Sequence, residues 1–185
     1  IIADAKRGDI GNTARKYAEA FFDLLDVDAI TLSPYMGRDS VVPFTGRKGK
    51  WAIALGVTSN PGAEDVQFIR TENGRPLYET VIRNTALWGS REDLMFVVGA
   101  TRPGILAEVR ALVPDHFLLV PGVGAQGGNL QAVLKAGLTP DGGLLINSSR
   151  GVLYAGQGEQ AIPAARAAAQ ALQQEMAPVL ASVLG

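Results

Sequence analysis

The sequence predicts an α/β fold built on a parallel sheet. Apolar runs recur at Ile1 to Ala3, Ala29 to Leu32, Trp51 to Val57, Leu94 to Ala100, Phe117 to Val120 and Leu144 to Ile146. Segments with helical spacing separate them, and alternating strand and helix implies parallel strands joined by crossovers. Polar and glycine-rich residues gather just after the runs, at the carboxyl ends where such sheets keep their chemistry.

The elements follow in chain order. The opening, Ile1-Ile2-Ala3-Asp4-Ala5-Lys6, reads as the end of a buried strand that carries charge where apolar residues belong. Asn12 to Leu25 is an amphipathic helix with Ala14, Tyr17, Ala18, Phe21 and Leu25 on one face. Ala29 to Leu32 is the second strand. Tyr35 to Lys50 has little apolar periodicity and carries Gly37, Pro43, Gly46 and Gly49. It reads as a long excursion, either a lid or subunit contact or a plain surface loop. Trp51 to Val57 and Leu94 to Ala100 are strands. Pro76 to Leu87 and Pro103 to Leu112 are helices, each opening on a proline that suits a first turn. Phe117 to Val120 and Leu144 to Ile146 flank a helix at Asn129 to Lys135. Ala161 to Leu184, rich in Ala, Gln and Leu, closes the chain as a helix.

A closed (β/α)₈ barrel needs eight strands and typically ~250 residues. The shortfall here, roughly 65 residues, matches two βα units of ~30 each. Residues 1–185 are therefore expected to form strands three to eight of one barrel domain whose first two units fall outside them.

Composition narrows the function classes. The chain has 185 residues, 47% hydrophobic and 19% charged, which suits one domain with a full core. A net charge of −1 offers no basic surface to nucleic acid. No apolar run reaches ~18 residues and no signal peptide is evident, so no membrane association is expected. With no Cys and His116 as the single histidine, a Cys or multi-His metal site is excluded. A Ser-His-Asp triad would have to use His116. That residue opens the Phe117 run, at the strand's entry end and away from the chemistry, and reads as a partly exposed structural histidine. The absence of Cys is compatible with a cytoplasmic location.

Four segments carry candidate chemistry, the last of them Ser148-Ser149-Arg150-Gly151 after the final strand. Asp4 and Lys6, two apart on a strand, share a face, with Asp9 just beyond. Such charges cost desolvation unless paired or used. The same residues would also serve as a structural ion pair, with Asp9 or Asn12 capping the next helix. Ser59 and Asn60, after the third run, bring a hydroxyl and an amide to the catalytic face or make an ordinary Asn-Pro-Gly turn. The third segment, Pro121 to Gly128, contains Gly-x-Gly-x-x-Gly. A dinucleotide fingerprint belongs in the first βα turn with an acidic residue ending the next strand. Here the motif comes late, and the next strand ends Asn147-Ser148-Ser149-Arg150. Phosphate fits better, on loop N–H groups and a helix N-terminus, with Arg150 as a bidentate donor. Barrels often hold phosphate between loops seven and eight, which these become if two units precede them.

Together these segments resemble, in chain order, the orotidine 5'-phosphate decarboxylase family. The resemblance rests on Asp4, Lys6, Asp9, Ile10 and Thr13 of an Asp-x-Lys-x-x-Asp-Ile-x-x-Thr motif, on Ser59-Asn60-Pro61-Gly62, on Pro121 to Gly128 and on Arg150. The Thr-Ser-Asn-Pro-Gly and Asn-Ser-Ser-Arg variants look most like the bacterial subgroup with longer loops. Ser149 stands where many members have glycine. The family's first two strands, which bring another Asp and another Lys, are not among these residues.

The resemblance implies a (β/α)₈ barrel that decarboxylates orotidine 5'-monophosphate to UMP and CO₂ in pyrimidine biosynthesis, with no cofactor and no metal. It implies Lys6 as proton donor to C6 and Asp4 beside the departing carboxylate. Asp9, with Ile10 and Thr13, would enter the other subunit's site, which implies a homodimer with shared sites. Ser59 and Asn60 would contact the pyrimidine. Pro121, Gln126, Ser149 and Arg150 would bind the rest of the nucleotide, Gln126 and Arg150 its phosphate. Two other readings stand beside this one. A hexulose-phosphate synthase-type aldolase resembles the family in Asp-x-Lys-x-x-Asp and would need a metal. A non-catalytic phosphate-binding barrel would keep Arg150 but has no need of Asp4 and Lys6.

Overall fold

The strand Leu94–Val98 is buried at every position, as a parallel strand covered on both faces should be. It is β4 of a six-stranded sheet, seen in a computed structural model that describes residues 1–124 and 127–184. The strands are β1 (Ile2–Arg7), β2 (Ala29–Leu32), β3 (Trp51–Val57), β4, β5 (Leu118–Pro121) and β6 (Leu144–Asn147). They lie side by side in chain order, every neighbouring pair parallel. The sheet curls into a half-barrel whose edges are β1 and β6. The helices are α1 (Gly11–Ala18), α2 (Leu77–Ala86), α3 (Pro103–Leu112), α4 (Leu130–Gly137), α5 (Ser149–Leu153) and α6 (Ala161–Leu184).

The period-two alternation divides the apolar side chains into two cores. On the convex face Ile30, Leu32, Ala54, Phe96, Val98, Leu118 and Val120 pack against the helices. On the concave face Ala29, Ile53, Met95 and Val97 form a smaller layer, edged by half-buried Leu55, Leu119 and Leu145. Asp4 and Lys6 of β1 belong to this concave face, whereas Arg7 stacks over the Tyr17 and Phe21 rings on the helix side.

Three features depart from the expected elements. β1 runs to Arg7 rather than ending at Ala3. After Ala18 the first helix widens into a π-helical turn, Glu19–Leu24. The wider turn shifts the buried face, so Phe22 packs inward while Leu25 is 64% exposed. Tyr35 to Lys50 is not a plain surface loop along its whole length. It folds into three 3₁₀ turns that bury Val41 and Phe44, with Phe44 meeting Phe22 edge to face at 6.3 Å.

The amino end of the sheet is a closed polar knot. Arg110 on α3 donates to the carbonyls of Val113, Pro114 and His116 before β5, of Gly137 at the end of α4, and of Gly143 before β6. His116 lies at this end, as expected, half-buried and edge-on to Phe96 at 5.6 Å.

Candidate active site

At the carboxyl end the polar residues face a cleft. β1 is irregular there: the five residues Ala3 to Arg7 lie against only the three from Ile30 to Leu32 of β2. This is a β-bulge, a device that re-aims side chains. Within it Lys6 takes φ +46°, a left-handed conformation costly for a residue with a Cβ. Lys6 Nζ lies 2.5 Å from Asp4 Oδ1. Thr31, on β2 and fully buried, donates from Oγ1 to Asp4 Oδ1 at 2.9 Å. The same Oγ1 accepts the Lys6 backbone N–H at 2.9 Å.

Partial burial is the largest influence on Asp4 and opposes its charge. The hydrogen bonds from Lys6 and Thr31 and the Lys6 charge outweigh it, holding the carboxyl below the usual carboxylate range. Asp4 is therefore a carboxylate at neutral pH.

A cleft of about 660 Å³ is lined by Asp4, Lys6, Ser59, Asn60, Pro121, Asn147 and Ser149, with apolar walls from Leu55, Val97 and Leu119. A contiguous space of about 220 Å³ joins Asp4, Pro121 and Ser149 to Arg150. Most of the sequence-derived site residues thus converge. Asp9, Ile10 and Thr13 line neither space. Asp9 accepts the Ile10 N–H at 2.8 Å, and neither Asp9 nor Asn12 caps α1, whose N-cap is Ile10. Gln126 lies outside the described residues.

The loop after β3 is held by residues that no motif signalled. Gln67 clamps Thr58 through its amide, Oε1 accepting the Thr58 N–H at 2.9 Å and Nε2 donating to Thr58 Oγ1 at 2.8 Å. Thr58 Oγ1 in turn donates to Asn60 Oδ1 at 2.6 Å. Gly99 lets the loop come close: a Cβ there would sit 2.9 Å from Ser59 Cβ. Arg102 ties the next loop to this one by an ion pair with Glu64 at 2.6 Å.

The glycine-rich loop differs from the expected backbone cradle. Its N–H groups at Gly124, Gly127 and Gly128 already donate to loop carbonyls. The α4 N-terminus is capped by Asn129 Oδ1, which accepts the Ala132 N–H. Arg150 is different: it is exposed and makes no ion pair or side-chain hydrogen bond among the described residues. No group of three or more acidic, His or Cys side chains suited to a metal gathers among the described residues. No helix there is long and apolar enough to cross a membrane.

Comparison with known proteins meets this geometry. A curated orotidine 5'-phosphate decarboxylase from Bacteroides fragilis is 50% identical over 184 residues, covering 100% of this chain and 67% of its own length. Another from Christiangramia forsetii is 53% identical over 179 residues, covering 97% of this chain and 65% of its own. The chain thus spans about two thirds of the length of these relatives. Among solved structures, Leishmania donovani OMP decarboxylase superposes with a TM-score of 0.85 at 42% identity, over 97% of this chain and 68% of that one. The same half-barrel recurs in Leishmania donovani UMP synthase, with a TM-score of 0.81 at 45% identity over 93% of this chain and 38% of that one. With residues 1–165 matching the family profile, the chain belongs to the orotidine 5'-phosphate decarboxylase / HUMPS family.

Proposed function

We propose that the protein decarboxylates orotidine 5'-monophosphate to UMP and CO₂. The observation that carries this reading is the Asp4–Lys6 pair, 2.5 Å apart in a cleft that also holds Ser59 and Asn60. The names of the relatives supply the substrate; the residues supply the roles.

Breaking the bond from C6 to the carboxylate leaves an electron pair on C6 with no adjacent electron sink. Stabilisation must then come from fixed charge. Lys6, as ammonium, lies beside the developing carbanion and then gives its Nζ proton to C6. Solvent returns a proton to the amine. Asp4 pairs with Lys6 and stands near the departing carboxylate. Ser59 and Asn60 hold the pyrimidine, while Pro121 and Ser149 line the path toward the phosphate. Arg150, with Gln126, takes the phosphate, whose binding energy helps drive the chemical step. No cofactor takes part.

Asp9, Ile10 and Thr13 act in the partner's site of a cytoplasmic homodimer, which accounts for their absence from both spaces of their own chain. The complete barrel closes with two further strands between β6 and β1, and the longer relatives have room for them. The test is an ultraviolet assay of orotidine monophosphate consumption by the full-length protein, with and without EDTA. Consumption unaffected by EDTA is expected. No consumption overturns the reading, and loss of activity with EDTA favours the metal-dependent aldolase.

A further inference from the structure

We propose that Thr31 is a positioning residue for this reaction, its hydroxyl filling the gap opened by the β1 bulge and fixing Lys6 and Asp4 relative to each other. The proposal rests on the reading of Asp4 and Lys6 as the reacting pair.

A hydroxyl has one hydrogen to donate and lone pairs to accept with. Thr31 directs both capacities into β1, donating to Asp4 Oδ1 and accepting the Lys6 N–H, each at 2.9 Å. The second bond is made where the β1–β2 register breaks, between Ala3 and Arg7. A side-chain oxygen thus takes the amide that a neighbouring strand's carbonyl would otherwise pair. That amide belongs to the residue at φ +46°. An unpaired N–H there would let the backbone relax toward the extended region and swing Nζ away from the cleft.

The surroundings of Thr31 leave its hydroxyl little choice. It is 0% exposed, and its register partner on β3 is Ile53, also 0% exposed. The concave layer around it is Ala29, Ile53, Met95 and Val97. A hydroxyl in such a layer is costly unless it is bonded, so both bonds persist and orient what they hold. The charged and polar groups around Asp4 are Lys6 on its own strand, Thr31 from β2, Thr58, Ser59 and Asn60 after β3, Asn147 at the end of β6, and Ser148, Ser149 and Arg150 beyond it. Loss of the Thr31 donor removes one of the influences that hold Asp4 ionised.

The experiment compares T31V and T31S with wild type in the full-length protein. Valine keeps the shape and removes the hydroxyl; serine keeps the hydroxyl. T31V should lose ~10- to 100-fold in kcat with KM within ~3-fold, as for a reacting group displaced by about an ångström. The acid limb of its kcat profile should move to higher pH. T31S should stay within ~3-fold of wild type in kcat, even where its lost methyl lowers the melting temperature. Asp4 titration followed by carboxyl carbon-13 NMR needs no turnover, and in T31V it should also move upward. If T31V retains wild-type kcat, or T31S loses as much as T31V, the assignment fails. An unchanged Asp4 titration in T31V overturns it equally, including in a protein that consumes no orotidine monophosphate. That last result in wild type overturns the functional reading instead.

Discussion

Arg110, at the amino end of the sheet, donates to five backbone carbonyls. Arg150, at the carboxyl end, donates to no described residue and faces open space beside Asp4. The two ends differ in the same sense elsewhere. At the amino end, burial pulls the Arg110 guanidinium down to about 10, yet its carbonyl partners keep it in place. At the carboxyl end, Lys6 sits in a strained conformation and the ion pair is open to the cleft. One end satisfies its arginine internally and supports the fold. The other leaves donors and charges to be satisfied by a ligand, as expected of the face where barrel enzymes work.

The sharpest test of that division is removal of the charge proposed to do the chemistry. K6A in the full-length protein should lose turnover by at least ~10³-fold, since it removes both an electrostatic stabiliser and the proton donor. Its melting temperature should match wild type within about 2 °C, because an exposed pair contributes little to stability. Circular dichroism and the ultraviolet assay measure the two quantities. Retention of most of the turnover would remove Lys6 from the mechanism and the carboxyl end from its role.

Asp9 extends the comparison across two chains. Mixed dimers of inactive D9N and inactive K6A subunits contain one site with both native residues if Asp9 serves its partner. Mixing should restore activity once subunit exchange has been demonstrated. Exchange with no recovery would assign Asp9 to its own chain's structure, where it accepts the Ile10 N–H.

The two arginines should separate stability from catalysis. R150A should lower kcat/KM for the nucleotide by ~30-fold, the loss of a charge-assisted bidentate contact. The nucleoside without phosphate should not respond, and the melting temperature should hold. R110M should do the reverse. It strands carbonyls in a partly buried place, which costs roughly 2–4 kcal/mol. That corresponds to a fall of about 5–15 °C in melting temperature, with kcat per folded molecule unchanged. Equal catalytic losses in both variants would erase the distinction between the ends.

The two ends were also unequally legible in the sequence. Alternating apolar runs located all six strands, and proline at a first turn located α3 with its observed bounds. Asp4, Lys6, Ser59 and Arg150 were readable because polar residues at strand ends stand out against an apolar pattern. Thr31 did not stand out. A β-branched residue between Ile30 and Leu32 is ordinary strand composition, and only the register against a bulged neighbour puts its hydroxyl between Asp4 and Lys6. Gln67 was hidden for a similar reason, since its bonds to Thr58 span nine residues of irregular chain. Val41 and Phe44 escaped because short 3₁₀ turns leave no sustained period to detect. The glycine-rich loop shows the opposite error. Its composition advertised free N–H groups, but those of Gly124, Gly127 and Gly128 are used within the loop.

The smallest effect concerns His116, a titratable group at the amino end that lacks the support Arg110 has. Neither of its ring nitrogens has a hydrogen-bond partner among the described residues. Burial lowers its pKa from the ordinary 6.5, assisted by Arg110 and Arg91 and opposed by Asp115 and Asp93. A depressed pKa means that the unfolded chain takes up the proton first as pH falls. Stability is therefore fully present above about 6.5 and declines below it, toward the folded-state value. Asp4 is also depressed, but its contribution is lost only below the ordinary carboxylate value of 3.8. Urea midpoints at about pH 7.5 and pH 5 consequently read the amino end without interference from Asp4. H116F keeps a ring against Phe96 and removes the titration. Its midpoint should fall less between the two pH values than that of wild type. An equal fall in both proteins would show that the acid sensitivity lies in groups other than His116.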